Sequence, residues 1–451
     1  MQIIVVGCGK VGRHLVMQLA KEGHSITVVD TDSTVLKKVT EIYDIMGVAG
    51  NGTSIRVLND AGVQDADLVI AVTQSDEVNI LCCIMARSGR KCRTIARVRD
   101  PIYLSEQQFF RELGISMVIN PERAVAREMA ALIRLPSAVE IDTFNKGRIE
   151  LLSFRVPDNS MLIGKKLKDL PTSVSSAMLM CVAERENEVV IPDGNFTVQE
   201  GDLVSVITPQ TAGRDFFKKV GLPYGYVRSA MIVGGGEIGY YLADRLIKSG
   251  IRVKIIEIDR ERCEELCELL PDAVIINGDG TEMDLLKEER LDLTDAFVAA
   301  TNLDEENIVL SIYAINKASA KVITKISHSE LNDVVSVMDL NSVVSPMEIC
   351  AETIVRYARA MNDSMGSEIE ALYMLRGGRA EALEFVAKDQ FSGVGVPLSE
   401  LSIKSNIIIA GITRNGSFFI PRGADYISPG DSVIIVTTNK GFLTLDDILE
   451  R

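Results

Sequence analysis

The chain carries the same glycine-rich turn twice. "IIVVGCGKVG" at residues 3–12 returns as "AMIVGGGEIG" at residues 230–239. Each copy follows a continuous apolar run and leads into residues of helical periodicity, Val11, Leu15 and Leu19 in the first. An apolar run without polar alternation suits a strand covered on both faces. A glycine turn between such a strand and a helix is the opening of a doubly wound α/β unit, and "SITVVD", "DLVIAV" and "RTIARV" read as later strands of the same parallel sheet.

The repeat runs well past the turn. In the register that lays Gly234 on Gly7, Glu257 of "IIE" falls on Asp30 of "VVD". One residue is then inserted in the second copy, after which Thr281 of "GDGT" falls on Thr53 of "GNGT", Asp295 on Asp67, and "AATNLDEEN" on "AVTQSDEVN". A third match joins "IPDGNFTVQEGDLVSVIT" from Ile191 to "IPRGADYISPGDSVIIVTT" from Ile420. Here turn signals separate short alternating runs, the pattern of a small antiparallel, β-rich unit. The period is far too long for a solenoid, so a duplicated domain pair is expected. The expected domains are 1–135 and 228–362, both Rossmann-like, and 136–222 and 366–451, both small and β-rich α+β. A length of 451 residues suits several cores of this size.

Charge narrows the partners. Lys plus Arg is 48 against 63 for Asp plus Glu, a net charge of −15, which repels phosphate backbones and anionic lipid surfaces. Nucleic acid is not an expected partner. The longest uncharged stretch, residues 170–183, falls short of the roughly 20 apolar residues a membrane span needs. The N-terminus enters a strand pattern directly, without the features of a secretory signal, so a soluble, cytoplasmic protein is expected. The eight cysteines form no CxxC pair and read as small buried hydrophobes in a reducing compartment. Cys263 and Cys267, four apart, lack the further ligands a metal site needs.

The turn is where ligand chemistry is expected. Gly7 permits the tight bend, Gly9 lets backbone approach a diphosphate, and Gly12 allows close helix-to-strand packing, while the helix start offers N–H donors to an anion. Asp30 ends the next strand, where a carboxylate accepts the ribose hydroxyls of NAD and repels the 2′-phosphate of NADP. The alternative is a Rossmann scaffold without a ligand. In the second copy Glu237 replaces Lys10, which places an acid near the diphosphate and predicts tighter binding at the first turn. Thr73 and Gln74 lie at the carboxyl edge of the sheet, in reach of a ligand, although Thr73 or Ser75 also suits an N-cap. Arg97, matched by Lys325, can reach a phosphate or pair with Asp30 or Asp100. Val125, Met129 and Leu132, like Cys350, Ile354, Tyr357 and Met361, mark one helix face each, either a last core-facing helix or a subunit interface.

The turn "IIVVGCGKVG", the "VVD" acid, "GNGT", "AVTQSDEVN" and "ARVRDP", followed by a β-rich unit and then the whole arrangement again, resembles the TrkA family. These are cytoplasmic regulatory subunits of bacterial Trk-type potassium uptake systems, built from RCK (KTN) domains. The resemblance implies an RCK-N Rossmann domain and a TrkA-C domain in each half. It implies a homo-oligomer, a tetrameric ring of two-RCK chains, at the inner face of the plasma membrane beneath a TrkH-like potassium channel subunit. It further implies NAD(H) as ligand, with ATP or ADP as others, and gating without any bond broken, hence no enzyme, no catalytic residue and no metal. Carried over by position, the ligand residues are Gly7, Cys8, Gly9, Lys10, Val11, Gly12, Asp30, Thr73, Gln74 and Arg97. In the second half they are Gly234, Gly235, Gly236, Glu237, Ile238, Gly239, Glu257, Thr301 and Asn302, with Lys325 beside them. Glu237 departs from the pattern.

Two other functions start from the same turn. An NAD-dependent dehydrogenase needs a general acid or base in a substantial second domain, whereas the intervening units here are small and the three histidines, His14 within the first helix, His24 in the turn after it and His328 after the Lys325 strand, read as surface or packing residues. A nucleotide-sensing scaffold with a soluble partner is the third reading.

Overall fold

The computed structural model describes residues 1–450 except 89–90, 101–102, 104–106, 172–173, 175–177, 329–330, 332–334, 336–337, 339, 341 and 363–368. The expected domain boundary between 362 and 366, and Pro101 of "ARVRDP", lie outside the described residues.

The first α/β segment alternates strictly. It runs β1 (Gln2–Val6), α1 (Lys10–Lys21), β2 (Ser25–Asp30), α2 (Ser33–Tyr43), β3 (Met46–Ala49), α3 (Ile55–Asp60), β4 (Leu68–Ala71), α4 (Asp76–Arg87), β5 (Arg93–Arg97), α5 (Gln107–Glu112), β6 (Met117–Ile119) and α6 (Pro121–Arg134). All strands pair in parallel, in the order β3-β2-β1-β4-β5-β6. The apolar run of β1 is explained by its central place: Ile3, Ile4, Val5 and Val6 are at most 2% exposed. Chain order reverses at β1, so the loops after β1 and β4 leave neighbouring strands and open a crevice at the carboxyl edge.

The next segment is antiparallel: β7 (Glu140–Phe144), β8 (Ile149–Arg155), β9 (Leu179–Arg185), β10 (Glu188–Val190) and β11 (Leu203–Pro209), in the order β10-β9-β11-β8-β7, followed by α7 (Gly213–Lys219). Then the α/β pattern returns as β12 (Ser229–Val233), α8 (Glu237–Lys248), β13 (Arg252–Glu257), α9 (Arg260–Leu269), β14 (Val274–Asn277), α10 (Met283–Glu288), β15 (Ala296–Ala299), α11 (Asp304–Lys317), β16 (Lys321–Lys325), β17 (Val343–Val344) and α12 (Pro346–Asn362). Its parallel order, β14-β13-β12-β15-β16-β17, repeats that of the first sheet. The last segment, β18 (Ile369–Leu375), β19 (Ala380–Val386), β20 (Ile407–Arg414), β21 (Ser417–Phe419) and β22 (Ser432–Thr437), repeats the antiparallel sheet in the order β18-β19-β22-β20-β21. The fold is thus α/β, with two Rossmann-like domains each followed by a small β-rich domain.

Like packs with like. One compact unit joins Met1–Met129 to Ser229–Ala358, and the other joins Ala130–Arg228 to Arg359–Arg451. In the second unit Phe144, Leu151, Cys181 and Ile207 share a core with Leu375, Ala382, Ala410 and Val436. Its polar seam is reciprocal. Arg376, just past β18, reaches Glu140 at 3.1 Å and donates to Ser205 Oγ at 2.7 Å, while Asn145, just past β7, donates its N–H to Glu384 at 3.2 Å. Both seam residues take a left-handed φ, 55° and 47°, in the tight turns by which β18 folds back into β19 and β7 into β8.

The apolar stripe of α6 and the first half of that of α12 lie inside the chain: Val125, Met129, Leu132 and Ile354 are fully buried and Cys350 is 1% exposed, whereas Tyr357 and Met361 further along α12 are half-buried. No disulfide joins the eight cysteines; seven are buried, and Cys267 on α9 is exposed rather than the core residue expected. Among the described residues no helix is long and apolar enough to cross a membrane, and no three His, Cys, Asp or Glu stand close enough to hold a metal ion.

Candidate functional site

The first turn is built by contacts no side chain can make. Gly7 has φ +98°, and a Cβ on it would meet Thr73 N at 2.8 Å, so the turn lies against the loop after β4. A Cβ on Gly12 would stand 1.9 Å from the Gly7 carbonyl oxygen, so α1 can start this close to β1 only with glycine there. Gly9 differs from both. It is exposed, its φ of −67° and ψ of −165° suit any residue, and a Cβ would meet no atom within 4 Å. Neither the backbone nor the packing of the protein calls for glycine at this position.

Asp30 closes the other side of the turn. Its Oδ2 accepts the Cys8 N–H at 2.5 Å and its Oδ1 accepts the Asp32 N–H at 2.9 Å. The carboxylate is therefore fixed at the turn with lone pairs left for hydroxyl donors. Cys8 is buried, and burial together with the Asp30 charge pushes its thiol up to about 11, with Arg13 opposing. Val11 is half-buried on α1 and Lys10 is exposed at its start. No side chain caps α1, whereas Asp32 caps α2 and Ser75 caps α4. The start of α1 thus keeps its N–H donors and dipole free for an anion.

The second turn repeats this geometry with altered chemistry. Gly234 has φ +106° and its Cβ would meet the Ala300 carbonyl oxygen at 2.6 Å; a Cβ on Gly239 would lie 2.2 Å from Gly234 O; one on Gly236 would meet nothing within 4 Å. Glu257 accepts the Gly235 N–H at 2.6 Å and the Asp259 N–H at 2.9 Å, as Asp30 does in the first copy. Ile238 is buried and α8 has no side-chain cap. Glu237 is present at the helix start as the sequence warned, but Arg262 of α9 counters it at 3.2 Å and donates from Nε to the Gly235 carbonyl at 2.8 Å. Burial holds the Glu237 carboxyl above the ordinary carboxylate range, with Arg262 working against the shift and Glu265, Glu122 and Asp100 adding to it.

The loop after β4 serves structure first. Thr73 donates its N–H to Asn79 Oδ1 at 2.8 Å and its hydroxyl to the same atom at 2.7 Å, while Asn79 Nδ2 donates to the Arg97 carbonyl at 2.9 Å. Thr301, Asn307 and Lys325 repeat the arrangement at 2.9, 2.8 and 3.1 Å. One buried Asn in each half thus ties the ends of two strands beside the turn. Ser75, not Thr73, caps α4, accepting Val78 N–H at 3.2 Å. Gln74 and Asn302 are exposed at the loop tips, and the Gln74 carbonyl accepts from Arg99.

Arg97 pairs with neither Asp30 nor Asp100. Its guanidinium meets Glu122 at 2.5 Å, both side chains about one-seventh exposed, at 15% and 14%, because α6 begins beside the end of β5. Lys325 donates to the Thr301 carbonyl at 2.8 Å and is 8% exposed. Sequence reasoning missed Glu122 and Arg262. Only the second left a signal: Arg262 stands where the register gives Val35, and Glu237 where it gives Lys10, a pair of charges that changed together.

A repeated Rossmann-type domain, with a glycine turn facing an acid at the end of its second strand and a small β-rich domain after it, defines the class: a tandem duplication of a Rossmann-type domain with its β-rich companion. The TrkA-N domain matches residues 3–121 and again 230–346, and the TrkA-C domain matches 151–221 and 393–450. The chain belongs to the family of the Trk system potassium uptake protein TrkA. It is 30% identical over 459 residues to TrkA homolog 2 of Methanosarcina mazei, covering 100% of both chains, and 33% identical over 447 residues to TrkA of Halomonas elongata, covering 98% of this chain and 96% of that one. The GsuK RCK domain superposes with a TM-score of 0.65 at 18% identity, covering 96% of this chain and 92% of that one. The GsuK channel bound to NAD superposes with 0.64 at 18% identity, covering 97% and 76%. At that identity the likeness speaks for the fold.

Proposed function

We propose that this chain is the cytoplasmic regulatory subunit of a potassium uptake system, a sensor that binds NAD(H), with ATP or ADP competing at the same turns, and gates a TrkH-like membrane channel subunit. Membership of the TrkA family supports the potassium system. The observation that carries the ligand is Gly9. Its missing side chain answers no need of the protein, and a diphosphate approaching an uncapped helix start supplies the need. Gly236 makes the same case at the second turn.

The residues present fit a dinucleotide. Gly7, Gly9 and Gly12 shape the cradle, the first turn of α1 and Lys10 face the diphosphate, and Asp30 accepts from the adenosine ribose. A carboxylate there disfavours NADPH. Val11 and Cys8 line the turn, and Gln74 extends the edge on the far side. When bound, the ligand supplies charge and bulk rather than reactivity, so the chain acts as a regulator and not as an enzyme.

Gating then follows from differential affinity. A ligand shifts the chain between two shapes only by as much as it binds one better than the other, so NADH and ATP can share a site and drive opposite outcomes. The working form in this reading is a homo-oligomeric, tetrameric ring at the inner face of the membrane.

Calorimetric titration of the full chain with NADH, NAD, NADPH and ATP tests the reading. One or two NAD(H) sites per chain with NADPH rejected are expected, and Asp30→Ala is expected to weaken NADH by about 1–3 kcal/mol through lost charge-assisted hydrogen bonds. Absence of binding by every nucleotide would reduce both turns to scaffold.

A further inference from the structure

The second turn carries a pair of charges the first lacks. Where the first copy has the exposed Lys10 and the aliphatic Val35, the second has Glu237 and Arg262. The guanidinium is the anchored member. Its Nε holds the Gly235 carbonyl of the turn at 2.8 Å, its Nη1 holds Glu265 at 2.6 Å, and its side chain is 18% exposed. Glu237 is 37% exposed and occupies Nη2 at 3.2 Å. It opens α8 directly after Gly236, the position whose Cβ would meet nothing.

Carboxylate and phosphate compete for the same guanidinium fork, and a phosphate brings more charge and more acceptor oxygens to it. Exchange at Nη2 leaves the bonds from Nε and Nη1 in place, so the guanidinium need not move. We propose that Arg262 is the phosphate-reading residue of the second glycine turn and that Glu237 is its tethered stand-in anion, displaced when a nucleotide carrying a diphosphate enters. The inference rests on the reading of both turns as nucleotide sites. It makes the second site self-countered. A ligand must outbid a carboxylate already in place, which selects for a nucleoside di- or triphosphate or a dinucleotide over an uncharged nucleoside.

The test uses the full chain with its first turn closed by Gly9→Asp, a side chain the protein has room for and which caps α1. This chain is titrated calorimetrically with ADP and with adenosine, alone and with Glu237→Gln or Arg262→Gln added. One ADP per chain is expected. Glu237→Gln should bind ADP about three- to tenfold tighter and Arg262→Gln about tenfold weaker, the scale of one charge-assisted contact. Glu237→Gln should give no gain once Arg262 is replaced. A merely structural Arg262 would weaken ADP and adenosine alike, whereas a phosphate reader leaves adenosine unchanged. Equal ADP affinity in the three chains, or weaker binding in Glu237→Gln, overturns the inference. ADP binding that disappears with Gly9→Asp while the unmutated chain still binds also overturns it and leaves the first site standing. No nucleotide bound by the unmutated chain removes both.

Discussion

The hydroxyl of Tyr241, on the helix that opens the second glycine turn, donates to the main-chain carbonyl of Arg99 at 3.0 Å. That carbonyl also accepts Asn120 Nδ2 at 2.8 Å. Arg99 is tied to the loop after β4 beside the first glycine turn: its N–H donates to Asp76 at 2.8 Å and its guanidinium reaches the Gln74 carbonyl. One phenol therefore fastens the helix after the second glycine turn to the loops beside the first, and burial pushes its pKa up to about 12, the Glu237 charge adding to the shift.

Tyr241→Phe removes this bond and keeps the ring. Because Asn120 still satisfies the Arg99 carbonyl, the cost to stability is expected to be about 0.5–1.5 kcal/mol in urea denaturation, the range of one neutral hydrogen bond. If the sites are coupled through this contact, the affinity of one turn should also stop responding to occupancy of the other, by the reciprocity that governs coupled binding. Sequential calorimetric titrations of parent and variant make the comparison; equal coupling in both would place the link elsewhere.

Gly9 and Gly12 separate binding from folding. Gly9→Asp adds a side chain where nothing stands within 4 Å and supplies a favoured N-cap, so stability should be unchanged or raised by up to about 1 kcal/mol, while NADH binding at the first turn is lost. Gly12→Ala forces a methyl to 1.9 Å from the Gly7 oxygen and should cost about 1–3 kcal/mol or more. Denaturation and calorimetry on the two variants read these apart. NADH binding of parental strength in Gly9→Asp would show that the diphosphate lies away from the turn.

Those glycines were legible in the sequence because their demands are local: a left-handed φ at Gly7, a close approach at Gly12, and an acid one strand later. The paired sheets were legible for the same reason, since the unbroken apolar runs of β1 and β12 state their burial. The short edge strands β3 and β14 were not, because four residues with half-exposed or exposed side chains are too short a run to tell a strand from a connecting loop. Nor was the partner of Arg97. Glu122 is brought to it by the pairing of β5 with β6, a long-range event without a trace in local spacing. The grouping of like domains with like was hidden too, because chain order interleaves them and the side chains that join them, such as Arg376 and Tyr241, look like ordinary strand-end and helix residues.

The two copies also fill the space behind the turn in different ways. The first has Cys8 with Val39, and the second has Gly235 with Leu266. A Cβ on Gly235 would stand 2.5 Å from Leu266 Cδ1 and 3.1 Å from the Glu257 carboxylate, so the longer Leu and the longer acid occupy the volume a cysteine would need. Gly235→Cys alone should destabilise by about 1–3 kcal/mol through overpacking. Adding Leu266→Val, the combination found in the first copy, should recover part of it, with a coupling energy of about 0.5–3 kcal/mol. A denaturant double-mutant cycle measures the coupling, and simple additivity would mean that the backbone of the turn, and not Leu266, absorbs the strain.

Lys325 offers a test by pH. Burial holds its ammonium below the ordinary value of 10.5; Asp304 and Glu122 pull it back up and Lys10 adds to the depression. The unfolded chain keeps this proton up to 10.5 while the folded chain releases it earlier, so across that window the unfolded state binds more protons and stability rises with pH. Lys325→Met removes the group. The stability of the variant relative to the parent should therefore be most favourable near neutral pH and decline steadily toward pH 10.5, whatever the Thr301 carbonyl loses as its partner. The difference between variant and parent isolates the lysine, because the buried thiols of Cys82, Cys181 and Cys350, each pushed up by burial to about 12, are common to both chains and oppose its slope. Urea titrations at a series of pH values give the profile; a difference that stays flat would mean that Lys325 keeps its charge in the folded protein and that its place beside Asp304 and Glu122 is an ion-pair network instead.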